Sequence, residues 1–309
     1  MSRAQAIPAG EFSAGRLLSR FMHSQRALAL LFLAPSLAVL CSVVVYPFFS
    51  AVWISFQNKY VGAQGQFIGL TNYETLFRDP MFYKVVWNST VYTGTAVAIK
   101  FTLGLAMALI LNQERRLNPL FRTILFVPWA VPVIVAALNW RWIYDDFSGM
   151  LNNVLLALGL IDDVISWLSD PALAMWSCVA VVVWSGTPFY TMNFLAALQA
   201  IPKEQYEAAR IDGASLLHEF WYVTIPNLRN VFMTVVMLST IFTSTNLVIV
   251  YTLTNGGPAN KTQIFPNLAY NIALQGGRLG YGSAINLAFF PVLAVLILLL
   301  SRQLLRQGE

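Results

Sequence analysis

From Ala27 to Phe56 the chain runs for thirty residues without one charged side chain. A helix that crosses the hydrocarbon of a bilayer needs ~20 mostly apolar residues. Five further segments have this character: Phe82–Leu111, Leu120–Trp142, Ala172–Leu198, Val231–Leu253 and Gly282–Ser301. Lys100 is the one charge deep in the first of these, with Lys84 at its edge, Pro128 and Pro132 interrupt the second, and Gly186 and Pro188 lie in the third. Backbone polar groups in lipid find no water, so apolar segments of this length are expected as helices that satisfy their own hydrogen bonds. Composition agrees, with 57% hydrophobic and 11% charged residues and a mean hydropathy of +0.62; soluble domains carry about 25% charged residues. The expected fold class is an all-α integral membrane protein with six transmembrane helices. The first run is too long for a signal-peptide core of ~7–15 residues, so it is read as a retained helix.

Six crossings put both termini on one side. With the N-terminus inside, the inner segments hold twelve lysines and arginines and the outer ones six, with Lys100 the remaining one of 19. Basic residues accumulate on the cytoplasmic side, so both termini are expected to be cytoplasmic. The acidic residues divide evenly and carry no orientation signal. The domain plan is then a cytoplasmic segment 1–26, a first transmembrane helix 27–56, a five-helix core 82–301 with a long cytoplasmic loop at 200–229, and a cytoplasmic tail 302–309.

Several function classes are excluded. The net charge of +5 is scattered among loops and reads as topology, not as an affinity for nucleic acid. Cys41 and Cys178 lie in apolar runs and form no disulfide framework or zinc pattern. No Gly-Lys pair is present, so there is no phosphate-binding P-loop. His23 and His218 are isolated, and no nucleophile elbow occurs. The chain is expected to be no enzyme, with no catalytic residue, no metal site and no cofactor of its own.

The loop IPKEQYEAARIDGASLLHEFWYVTIPNLRN begins as a short helix. Pro202 suits its start, Glu204 and Glu207 suit its first turns, and Gly213 suits its C-terminal cap. Ala208 and Ala209 leave one face shallow. By spacing alone this segment is either an interfacial anchor or a docking element.

Glu207-Ala208-Ala209, Asp212-Gly213-Ala214 and Ile225-Pro226 resemble the EAA loop of bacterial ABC-importer permeases. Phe67-Ile68-Gly69-Leu70-Thr71-Asn72-Tyr73, Gly104-Leu105 with Ala108-Leu109, the stretch from Phe121-Arg122-Thr123 to Pro128-Trp129 and Pro132, and Thr254-Asn255-Gly256-Gly257-Pro258 are similar to stretches of the carbohydrate permeases of that family. The resemblance implies the type I ABC importer permease fold, and the first permease subunit of a binding-protein-dependent importer of the maltose and glycerol-phosphate type. The implied partners are a second homologous permease, two copies of a cytoplasmic ABC ATPase that binds the ATP and magnesium, an extracytoplasmic solute-binding protein, a small-molecule sugar, and the lipids of the bacterial inner membrane. It also implies ATPase-coupling roles for Glu207, Ala208, Ala209, Asp212 and Gly213.

In the fifth run Ser239, Phe242, Thr243 and Asn246 fall at spacings of 3, 4 and 7, one face of a helix. Polar groups facing lipid find no partner, so this stripe is expected to face protein or a solute path. Packing through interhelical hydrogen bonds would use the same residues. The resemblance implies sugar contacts at these four positions and adds Gly186 and Phe189 of the fourth run. Lys100, deep in the second run, is expected to face an interior. It either pairs with a neighbouring subunit or contacts an anionic solute. The rival from another class is an ion-coupled secondary transporter, which would place ionisable residues in the spans, where Lys100 is the one charged side chain far from a span end.

Overall fold

A computed structural model of the chain describes residues 25–113 and 118–305. Most of the expected cytoplasmic segment 1–26, Arg115 and Arg116 of the short inner loop, and the end of the tail lie outside the described residues. The chain divides after Trp53 into two compact units. Helix α1 runs Gln25–Leu40, passes through a π-helical turn at Cys41–Val45 and continues as Tyr46–Ser55; it makes up the first unit as far as Trp53, and Ile54 and Ser55 belong to the second. Leu30, Phe32, Val43 and Tyr46 are exposed. An apolar surface of this kind suits a lipid surround.

The second unit opens with a short antiparallel pair, β1 (Gln57–Asn58) and β2 (Gln66–Phe67), with Gln57 opposite Phe67. Helix α2 (Thr71–Arg78) then locks it: buried Asn72 donates to the Ser55 and Gln57 carbonyls at 2.8 and 2.9 Å. The Phe67–Tyr73 stretch is thus a scaffold at the end of α1.

Helix α3 (Pro80–Asn112) starts on Asp79, whose carboxylate accepts from the Met81 N–H at 2.8 Å, with proline at the first turn. Its buried residues Val85, Ser89, Tyr92, Ala96, Lys100, Gly104, Ala108 and Leu111 recur every three or four positions. This face packs on α7 (Ala174–Gln199). At Gly104 a side chain would collide with Tyr190 of α7, so glycine there permits the close approach.

Between them the expected single span Leu120–Trp142 is corrected. It is two helices, α4 (Asn118–Ala130) and α5 (Val133–Ile143), bent by 94°. Pro132 supplies no N–H and its ring excludes the carbonyl at position 128, itself a proline, so the helix stops and restarts. Helix α6 (Met150–Ala157) lies in the loop that follows, where Asn152 donates to the Asp146 and Ile165 carbonyls.

After α7 comes α8 (Lys203–Ile211), then α9, which runs Leu216–Glu219, a π-helical turn Phe220–Thr224 and Ile225–Ser244. The expected fifth span does not continue unbroken to Leu253. It stops at Ser244 and resumes as α10 (Val248–Leu253). Ser244 and Thr245 both turn their hydroxyls back to the Ile241 carbonyl, at 3.1 and 2.8 Å, the kind of local competition that loosens a helix end. Helix α11 (Phe265–Tyr270, then a π-helical turn Asn271–Gln275) and α12 (Leu279–Leu305) close the unit.

Among the described residues, Leu28–Ser55, Pro80–Asn112, Ala174–Gln199 and Leu216–Leu253 are long and apolar enough to cross a bilayer. The bent pair adds a fifth crossing if it counts as one broken span, and α12 holds the shorter apolar stretch Leu279–Val295. Two apolar clusters stack along α3 and α7. One contains Tyr92, Ala96, Cys178, Val183 and Ile249, and the other Ala108, Tyr190, Phe194 and Val235. On α3, Lys100 falls between the last residue of the one and the first of the other.

Candidate functional site

Lys100 is 3% exposed. Its ammonium donates to Ser239 Oγ at 3.0 Å and to Thr243 Oγ1 at 2.7 Å, and lies 5.9 Å from the centre of the Tyr190 ring. A lysine at mid-span costs about 2.5–3.5 kcal/mol on insertion scales. Two hydroxyls and a ring offset part of that, but all three are neutral. Room for the lysine stem comes from Gly186 on α7, where a Cβ would lie 2.7 Å from Lys100 Cδ. A glycine, a lysine and two hydroxyl residues from three helices therefore form one contact.

That contact is one wall of a cavity of about 460 Å³. Its lining brings together all seven solute-facing candidates from the sequence: Lys100, Gly186, Phe189, Ser239, Phe242, Thr243 and Asn246. Ser239 and Thr243 are buried against Lys100, while Phe242 is 62% exposed and Phe189 and Asn246 are half-buried. Asn246 sits in the break between α9 and α10. Its Oδ1 accepts from the Ile249 N–H at 3.3 Å, one of the α10 donors with no partner inside its own helix. The amide nitrogen is the other end of that side chain.

The opposite wall comes from the α4–α5 break. Pro128, Trp129, Ala130, Val131, Pro132 and Val133 all reach the cavity, as does Ser185. Sequence reasoning noticed these prolines but kept the helix continuous, so it did not place Trp129 or Ser185 at the site. The available signal was the pair of prolines four residues apart.

The other candidate group lies at the opposite end of α9. Pro202 precedes α8, and Gly213 follows it at φ +82°. The Ala214 N–H bonds to the Ala209 carbonyl at 2.9 Å and the Gly213 N–H to the Arg210 carbonyl at 3.0 Å, the crossed pair of a left-handed helix cap. Three side-chain ties hold α8 to the start of α9. Arg210 meets Glu219 at 2.8 and 3.2 Å, Tyr206 Oη meets Thr224 Oγ1 at 3.0 Å, and Asn227 donates to Gln205 at 2.8 Å. The Arg210 bonds hold the Glu219 carboxyl below the usual glutamate range. Glu207, Ala208, Asp212 and Gly213 stay exposed and Ala209 is half-buried. From Leu216 to Thr243 there is about 40 Å of helix, so one element joins this surface to the cavity.

Residues 100–307 match the family described as binding-protein-dependent transport system inner membrane component. The chain is 35% identical over 275 residues to the trehalose/maltose transport system permease protein MalF of Thermococcus litoralis, covering 89% of this chain and 92% of that one. It is 35% identical over 269 residues to the probable ABC transporter permease protein YurN of Bacillus subtilis, covering 85% and 91%. It is 32% identical over 269 residues to the sulfoquinovosyl glycerol transport system permease protein SmoG of Agrobacterium fabrum, covering 86% and 87%. Its fold is similar to a chain in the crystal structure of a bacterial ABC transporter involved in the import of the acidic polysaccharide alginate. That match has a TM-score of 0.81 at 19% identity and covers 95% of this chain and 100% of that one. With a helical type I ABC importer permease fold, the chain belongs to the family of binding-protein-dependent transport system inner membrane components, multi-pass permease subunits of ABC transporters.

Proposed function

We propose that the chain is the first permease of a heterodimeric, ATP-driven importer that carries a saccharide or sugar derivative across the bacterial cytoplasmic membrane. In this reading six helices cross the bilayer and both termini are cytoplasmic. An outer solute-binding protein delivers the sugar, and a second homologous permease completes the path. Two copies of a cytoplasmic ATPase bind the ATP and magnesium. Helix α8, with Glu207, Ala208, Ala209, Asp212 and Gly213, docks on one of them.

The observation that carries the reading is the cavity, where hydroxyl and aromatic groups of α7 and α9 and the Asn246 amide of the α9–α10 break converge beside Lys100 of α3. A sugar presents hydroxyls at its rim and a flatter apolar face, and Asn246 and Phe242 match those two features. Relatives named for trehalose/maltose and for sulfoquinovosyl glycerol support the solute class. The three ties between α8 and α9 support coupling, because ATPase closure would move α9 with the docked helix.

A secondary transporter would need titratable carriers in its spans. No Asp or Glu occurs in α1, α3, α4, α5, α7, α10, α12 or the Ile225–Ser244 part of α9.

The test is reconstitution of the chain with its second permease, ATPase and binding protein in vesicles. ATP-dependent accumulation of a labelled saccharide is expected. Accumulation driven by a proton or sodium gradient without ATP would overturn the proposal.

A further inference from the structure

We infer that the imported solute is anionic, a saccharide bearing a carboxylate, sulfonate or phosphate group, and that Lys100 receives that group. The inference rests on the cavity being the solute path and goes beyond it in naming the charge.

The hydrogen-bonding capacity around Lys100 favours an anionic group. An ammonium carries three N–H donors. Two are used on Ser239 and Thr243. Thr243 in turn donates its own proton to the Ser239 carbonyl, so neither its hydrogen nor its lone pair toward Lys100 is free for a solute. Asn246 Oδ1 accepts one bond, from Ile249, and the amide N–H₂ keeps both its donors. Among the described residues, Lys100 thus keeps one donor to spare and Asn246 two, while the acceptors left in the cavity include Ser185 Oγ, whose proton goes to the Val182 carbonyl. A multi-oxygen anion takes donors alone and gains most from a charged one, so the spare Lys100 N–H suits the anionic group of the solute.

Charge points the same way. Lys100 is buried beside neutral partners, and the Lys100 ammonium has no carboxylate within an ion-pair distance among the described residues. The helices that build the cavity carry no Asp or Glu, apart from Glu219 at the distant start of α9. A buried cation is retained where a counter-charge arrives, and the cavity is where Lys100 meets open space. Gly186 keeps the lysine stem in that position, since any larger residue would press on it. Phe189, Trp129 and Phe242 then offer ring faces to the uncharged part of the solute.

A counter-charge could instead come from the second permease, and the experiment separates the two sources. The assembled transporter, with its binding protein and ATPase, is reconstituted as wild type, Lys100→Met and Lys100→Arg. Uptake per assembled complex is measured for a matched panel: uronic, sulfonated and phosphorylated saccharides beside their neutral parents. Wild type is expected to take an anionic member in preference to its parent. Lys100→Met should lower that uptake about ten- to a hundred-fold, the worth of one charged hydrogen bond, with part of it restored in Lys100→Arg. Uptake of neutral members alone would overturn the inference and leave the saccharide path standing. Uptake of no saccharide, charged or neutral, by a complex that hydrolyses ATP would overturn the saccharide path and this inference with it. A Lys100→Met complex that assembles poorly but transports the anion normally per complex would assign the counter-charge to the second permease and overturn the inference.

Discussion

Gly186 has no side chain at the point where Lys100 passes it, and a Cβ there would stand 2.7 Å from Lys100 Cδ. The two positions belong to different helices, so the lysine can reach Ser239 and Thr243 only while residue 186 stays small. Gly186→Leu is expected to push Lys100 off its hydroxyls and to lower stability by about 1–3 kcal/mol, the usual range for overpacking. The double variant Gly186→Leu/Lys100→Met should regain part of the loss in melting temperature, because methionine is shorter and adapts its shape. Additive losses in the double variant would show that the contact between the two is not what constrains the site.

The cap after α8 gives a second test. Gly213 lies at φ +82° with open space around its Cα, so a substitution there meets backbone strain and not a collision. Gly213→Ala should cost about 1–2 kcal/mol locally, and Gly213→Asn less, because asparagine enters the left-handed region more readily. Gly213→Trp adds bulk to the exposed face proposed to dock on the ATPase, and should abolish uptake while leaving membrane insertion intact. Normal uptake by Gly213→Trp at normal expression would remove α8 from the coupling role.

The Arg210–Glu219 tie predicts a pH dependence. Arginine holds the Glu219 carboxyl below its ordinary value. A depressed folded value means the tie stabilises fully above the unfolded value, ~4.3, and is lost as pH falls through the folded one. Arg210 is 62% exposed, so solvent screens the pair and the effect should be local. Hydrogen exchange of the α8 amides, corrected for intrinsic rate, should accelerate below about pH 4 in wild type. Glu219→Gln should remove that dependence. An unchanged pH profile in Glu219→Gln would assign the loosening to another group.

How far the sequence reached differs between parts of the site. Ser239, Phe242, Thr243 and Asn246 were legible because helical spacing is periodic, and Lys100 because a lone charge in an apolar run is conspicuous. Gly213 was legible because its cap follows from local chemistry. The link between Lys100 and the stripe was not legible, since it joins residues 139 and 143 positions apart across two helices. The break at Val131 and Pro132 was not legible either. Prolines are tolerated inside membrane helices, so Pro128 and Pro132 fit a continuous span as well as a bent one. The turn at Thr245–Leu247 has no glycine or proline to mark it.

Orientation is open to a direct measurement. In a chain with Cys41 and Cys178 replaced by alanine, single cysteines at Ser13 and Ser215 should be shielded from a membrane-impermeant reagent added to intact cells. One at Asn260, an exposed residue of the loop after α10, should be labelled. Labelling at Ser215 would reverse the proposed topology.

The cavity itself is tested by separating stability from transport at Asn246. Asn246 does two things: its Oδ1 holds the Ile249 N–H, and its amide nitrogen is free for the solute. Asn246→Ala removes both. The lost helix-start bond should cost about 0.5–2 kcal/mol of stability. Losing one solute hydrogen bond should weaken binding about two- to ten-fold. Asn246→Ser keeps an oxygen able to hold the Ile249 N–H while losing the amide donors, so its melting temperature should stay near wild type while uptake falls. Phe242→Ala, at an exposed ring on the same wall, should lower uptake through lost stacking with little effect on the helix start. Uptake per assembled complex, read beside melting temperature, decides between a solute contact and packing. If specific uptake is unchanged in Asn246→Ser and Phe242→Ala, the stripe only packs helices together, and the solute passes elsewhere.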